Sequence, residues 1–250
     1  MTYFDPLAAP FRLEGSNGEG VLLVHGFGGT PAHLRMLAGH LNAAGYSVQA
    51  PLLTGHGTSL EHMESTGRRD WLDSAKEGYR ALAEGCDRVH LFGFSMGGLL
   101  CLSLAAQLPA ASLTTLNTPI KLHERRRHLA RALQYWQRFR MWEEGDAPEP
   151  KGETARYWVQ YEGVSVKAAV QLLDLIRETK AKLPQVTCPL LVIQSRVDES
   201  VRPVSAEMIM ERTSSFRREL VWLEGSRHNS LLFDERHVID HKVLEHLRRA

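Results

Sequence analysis

Of the residues able to do chemistry, Ser95 has the most telling surroundings. It sits in Gly93-Phe94-Ser95-Met96-Gly97, a G-x-S-x-G pattern, between the strand-like run 88–94 and the helix-like run 96–108. That spacing suits a strand turning sharply into a helix, with glycines where side chains would collide with the turn. The hydroxyl is then held clear of the sheet at a helix N-terminus, where developing negative charge is favoured. The pattern alone occurs by chance. Its weight here comes from the apolar strand ending at Phe94 and the helical run beginning at Met96.

A serine hydroxyl is a weak nucleophile until a base takes its proton and an acid orients that base. On an open parallel sheet, ligands bind beyond the carboxyl ends of the strands. The partners should therefore follow later strands. "LLVIQSRVDES" places Asp198 three residues past a strand, and "ELVWLEGSRHNS" places His228 in the loop after the last one. The expected acid is Asp198 and the expected base His228. Glu199 and Glu224 are rival acids; His25 and His56 lie in loops near the same sheet edge, and His237, His241 and His246 fall on the last helix and read as solvated.

Acyl transfer generates an oxyanion, which preorganised backbone amides stabilise. "VLLVHGFGGTP" (21–31) is a strand running into a glycine-rich loop. One amide should be that of Met96, the residue after the nucleophile, and the other that of Phe27 in this loop. The loop has neither G-x-x-x-x-G-K-[ST] nor G-x-G-x-x-G spacing, so it reads poorly as a phosphate cradle.

Six short runs read as the strands that position these residues: 20–26, 46–52, 88–94, 112–117, 190–195 and 219–225. Several are continuously apolar, as parallel strands covered on both faces are. Helical patterns at 32–45, 69–85 and 96–108 lie between them, the last apolar all round, and an amphipathic helix closes the chain. Strand alternating with helix predicts a mostly parallel sheet with helices on both faces. The alternation breaks between Pro119 and Pro184, where the chain turns helical, charged and Trp-rich, divided by a polar loop (143–153). Strand patterns on both sides make this an insertion over the sheet. Its basic stretch 123–140 reads as a solvated helix face.

Composition narrows the classes. Thirty basic residues against 29 acidic leave a net charge of +1, which gives no electrostatic case for nucleic acid or an anionic membrane surface. No charged residue occurs from Leu91 to Ile120, but the glycines, prolines and polar residues within that run suit a buried strand, helix and strand better than a membrane span. Cys86, Cys101 and Cys188 lack framework spacing and read as buried free thiols. The N-terminus has no basic start followed by an apolar run, so the expected location is cytoplasmic.

Taken together, "HGFGGTP", "GYSVQAPLLTGHGTS", "GFSMGG", "ETKAKLPQVTCPLLVIQSRVDESV" and "SRHNS" resemble the α/β-hydrolase superfamily, and more narrowly its small bacterial carboxylesterases and monoacylglycerol lipases. The resemblance runs nearly end to end. It implies an α/β-hydrolase fold with core residues 1–118 and 185–250 and a small helical lid at 119–184. It implies Ser95, Asp198 and His228 as catalytic triad, with Phe27 and Met96 supplying the oxyanion amides. Glu162, in the pair Tyr161-Glu162, matches a lid glutamate that meets a glycerol head. The implied activity is hydrolysis of short- to medium-chain carboxylic esters, with monoacylglycerols among them, needing no cofactor or metal. The partner is a small ester with an apolar acyl chain. The same triad would serve a thioesterase or an amide or peptide hydrolase. A non-catalytic binding module usually lacks a triad member, and here all three are present.

Overall fold

The computed structural model describes residues 3–123, 130–142 and 149–250. Seven strands form one sheet: β1 (Phe11–Leu13), β2 (Glu19–Val24), β3 (Ser47–Ala50), β4 (Arg88–Phe94), β5 (Ser112–Leu116), β8 (Leu190–Ser195) and β9 (Arg218–Leu223). Two others, β6 (Phe139–Met141) and β7 (Gly163–Ser165), pair separately as an antiparallel ribbon. The main sheet runs β1-β3-β2-β4-β5-β8-β9, all parallel except β1, which is antiparallel to β3. The six strands expected from the sequence are all present. The short edge strand β1, three residues with a charged centre, carried too little apolar signal to be expected.

Side chains alternate across each strand, which divides the core into two layers. Leu22, Val24, Leu91, Leu113, Leu190 and Val192 face one layer; Val21, Leu23, Phe92, Leu116, Leu191 and Ile193 face the other. Helices α1 (Arg35–Ala43) and α8 (Arg236–Arg249) cover the second layer through Leu37, Leu41, Ile239 and Val243. On the first lie α3 (Arg68–Ala83), α4 (Met96–Ala105), α6 (Val166–Lys182) and α7 (Val204–Arg212). α4 is buried along nearly its whole length, as its lack of a polar face requires. α2 (Leu60–Glu64) and α5 (Ala130–Leu133) are single turns.

The insertion departs from the helical expectation. Of the basic stretch, residues 124–129 lie outside the described residues, as do 143–148 of the polar loop. The rest of the basic stretch is the single turn α5 followed by β6, because pairing of Phe139, Arg140 and Met141 with Ser165, Val164 and Gly163 overrides the helical pattern. α6, numbered within the expected insertion, packs into the core: Ala168 and Leu175 join the α4 layer, and Thr179 Oγ1 lies 3.1 Å from Ser103 Oγ. Among the described residues no helix is long and apolar enough to cross a membrane. Cys101 is buried and Cys86 and Cys188 are half-buried, all three as free thiols.

Candidate active site

Ser95 sits between β4 and α4 with φ 53° and ψ −120°, backbone torsions that a non-glycine residue adopts only under constraint. Two close approaches impose them. A Cβ on Gly97 would lie 2.0 Å from the Val24 carbonyl oxygen, and one on Gly93 would lie 2.3 Å from that of Gly97. Only glycine lets β4, β2 and the start of α4 meet so tightly. The Ser95 amide donates to the Leu116 carbonyl at 2.8 Å, which ties the turn to the end of β5.

The three expected side chains, distant in sequence, form one hydrogen-bonded line. His228 Nε2 lies 2.9 Å from Ser95 Oγ, and His228 Nδ1 lies 2.8 Å from Asp198 Oδ2. Asp198 is almost fully buried, and its second oxygen accepts from the Ser200 and Val201 amides at 2.8 and 2.7 Å. With the carboxylate accepting, Nδ1 carries the imidazole proton and Nε2 offers its lone pair to the serine. Burial pulls the His228 pKa down, but the charge and hydrogen bond of Asp198 and the charge of Glu199 outweigh it, so the net shift is upward from 6.5.

The glycine-rich loop lies against the serine: a Cβ on Gly26 would be 3.2 Å from Ser95 Cβ. Among the described residues, the Phe27 and Met96 amides donate to no backbone carbonyl. Both are therefore available to another acceptor. His25 holds this loop from beneath. Its Nε2 accepts from the Leu53 amide at 3.1 Å, which leaves Nδ1–H to donate to the Gly26 carbonyl at 2.9 Å. Complete burial, with the neighbouring His56, drives its pKa well below 6.5, so it stays neutral. Residues of the expected insertion hold the same loop: the Tyr161 amide donates to Gly28 O at 3.0 Å, and Thr30 Oγ1 donates to Val159 O at 2.7 Å.

The rival residues have other places. Glu199 accepts from the His228 amide at 3.0 Å, so it braces the His228 backbone rather than orienting its ring. Glu224 pairs with Arg196 on the surface. His56 is buried among Phe27, Trp71 and Tyr161, with burial lowering its pKa to about 4. His237 and His241 are exposed, as expected. His246 is not: it is buried, and burial lowers its pKa to about 4, because it lies on the face of α8 that turns to the sheet. Glu162 is exposed beside β7. Its carbonyl accepts from the Trp142 amide at 2.8 Å, and no hydrogen bond among the described residues joins its carboxylate to the Ser95 line.

Two supports went unnoticed in the sequence. The Glu235 carboxylate accepts from the amides of Glu224, Gly225 and Ser226 at 2.9, 3.0 and 2.5 Å, gathering the turn that leads to His228. Asn117, in the left-handed region at φ 47°, bridges the ends of β5 and β8 to the His228 loop. A polar αL-tolerant residue just past a strand, Asn117 before Thr118-Pro119, was the available signal.

A serine on a strand-to-helix turn, with acid and base arriving from later strands in the order Ser, Asp, His, defines an α/β-hydrolase. The chain belongs to the hydrolase family described as serine aminopeptidase, S33, whose model matches residues 16–236. It is 35% identical to a thermostable monoacylglycerol lipase of Bacillus sp. (strain H-257), over 95% of this chain and 93% of that protein. It is 30% identical to a carboxylesterase of Bacillus subtilis (strain 168), over 96% of both. A solved structure from work on LipS and LipT, two metagenome-derived lipolytic enzymes, superimposes with a TM-score of 0.90 at 32% identity, covering 98% of this chain and 99% of that one.

Proposed function

We propose that this chain is a serine carboxylesterase that cleaves short- to medium-chain esters, monoacylglycerols among them, through an acyl-enzyme. The observation that carries the reading is the hydrogen-bonded line from Ser95 Oγ through His228 to Asp198. Ser95 Oγ attacks the ester carbonyl as His228 Nε2 takes its proton. Asp198 holds the imidazole tautomer and stabilises the imidazolium that forms. The Phe27 and Met96 amides receive the oxyanion. His228 then protonates the departing alcohol, and water, activated by the same nitrogen, releases the acid.

Likeness to the two Bacillus enzymes favours ester over amide substrates. The insertion, rich in Trp and Tyr, acts as a lid whose inner side meets the apolar acyl chain. Glu162 is the lid residue assigned to a glycerol head.

Fluorophosphonate labelling and turnover of p-nitrophenyl esters of graded chain length test the reading. Ser95→Ala should abolish labelling and lower kcat by roughly 10^4-fold or more. Near-normal turnover in that variant would overturn it. Run with monoacylglycerols, the same assay reads the Glu162 assignment: Glu162→Gln should lose activity on these selectively.

A further inference from the structure

Asn117 is a fully buried side chain whose carboxamide is committed on both ends. Its Oδ1 accepts from the Ser195 amide at 2.8 Å, at the end of β8 just before the turn that carries Asp198. Its Nδ2 donates to the His228 carbonyl at 2.7 Å and to Ser230 Oγ at 3.1 Å. Its own amide donates to Ile193 O at 3.0 Å, and the carbonyl of the preceding residue, Leu116, receives the Ser95 amide. Asn117 and the peptide that joins it to Leu116 thus reach the segments that bear Ser95, Asp198 and His228. Asn117 does so from an αL conformation that Asn and Gly tolerate and most other side chains do not.

We propose that Asn117 is a positioning residue for the base: its carboxamide fixes the main chain of His228 relative to the Asp198 turn, and so sets the reach of the imidazole to Ser95. The base is on a loop after the edge strand β9, where backbone is held less firmly than inside a sheet. Glu199 and Glu235 hold that loop by its amides, whereas Asn117 holds the His228 carbonyl, the remaining polar group of the base's own peptide frame. A shift of about 1 Å at a reacting group can cost on the order of 100-fold in rate. Asn117, by contrast, is fully buried and its carboxamide is already engaged, so its side chain offers an ester no contact.

The inference rests on the esterase reading, and the test separates the two. Asn117→Gly tolerates the backbone torsion and removes the side chain with its carboxamide. Serines competent for acylation are counted by burst titration with a p-nitrophenyl ester, so that misfolded molecules drop out. Per titrated serine, kcat and the rate of fluorophosphonate inactivation should fall together by about 10- to 100-fold with KM nearly unchanged. A residue that merely stabilised the fold would lower Tm and the titrated fraction and leave kcat per site intact; that result would overturn the proposal. Asn117→Asp is the second variant should the glycine form not fold. It keeps size, torsion and the acceptor for Ser195, but turns an oxygen toward the His228 carbonyl, and the same loss is expected. Wild-type turnover abolished by Ser95→Ala beside undiminished Asn117 variants would sink this inference alone. Turnover surviving Ser95→Ala would sink the esterase reading itself.

Discussion

At the scale of single residues, the balance of forces on His228 has a kinetic consequence. As the proposed general base, His228 must be neutral to accept the serine proton. Burial favours that form, while the Asp198 and Glu199 charges favour the imidazolium and prevail, so the folded pKa lies above 6.5. A raised pKa means the proton is held to higher pH. Activity should therefore switch on as pH rises through a limb placed above 6.5 in kcat/KM and fall away below it. Asp198→Asn removes the negative charge and leaves the burial, so the limb should move to lower pH. At the same time kcat should fall by about 10^4-fold, because the amide no longer enforces the productive tautomer. A pH–rate profile of both proteins checks this. An acid limb unmoved by the substitution would show that His228 does not govern it. That Ser95, Asp198 and His228 would converge was legible in sequence, because each follows a strand with a strong apolar signature. Asn117 and Glu235 were not, since their roles are hydrogen bonds to backbone groups that only the assembled loops bring within reach.

At the scale of elements, the site depends on how closely β2, β4 and α4 approach. Gly97 is in contact with the Val24 backbone, which cannot move without breaking the β2–β4 ladder. Gly97→Ala should force α4 away from the sheet at a cost of about 1–3 kcal/mol or more, the usual penalty of overpacking. Because α4 begins at Met96, the amide proposed to receive the oxyanion would move with it. Thermal unfolding and turnover should show a lowered Tm and a kcat loss together; an alanine variant with native Tm would refute the close packing. The same strands explain what the sequence revealed of the fold. Continuous apolar runs such as Val21–Val24 and Leu190–Ile193 are buried on both faces, and that doubled burial writes a strong signal. β1 and the β6–β7 ribbon are short and partly solvated, so their strand character comes from pairing partners remote in sequence. α6 lies within the expected insertion and yet packs on α4. Its polar outer face resembled the charged insertion before it, and its packing on α4 is a tertiary fact.

At the scale of the whole molecule, the segment proposed as a lid is hydrogen-bonded to the glycine-rich loop beside Ser95, so it is not an independent cover. Tyr161 is the joint. Its amide holds Gly28, one residue past Phe27, whose amide is proposed to receive the oxyanion, while its hydroxyl donates to the Gly55 carbonyl at 2.9 Å and accepts from the Thr58 amide at 3.0 Å. Tyr161→Phe leaves the ring and the amide in place and strands a buried carbonyl and an amide, a penalty of about 1–3 kcal/mol. Were the insertion only a lid, that loss would alter substrate access and appear in KM. Through the Gly28 contact it should also loosen the Phe27 amide, whose proposed bond to the oxyanion would act only in the transition state. The expected outcome is a Tyr161→Phe enzyme with lower Tm and kcat reduced about 10-fold on short p-nitrophenyl esters, substrates too small to need a lid. An unchanged kcat on the shortest ester, with KM raised only for longer ones, would instead confine the insertion to substrate access.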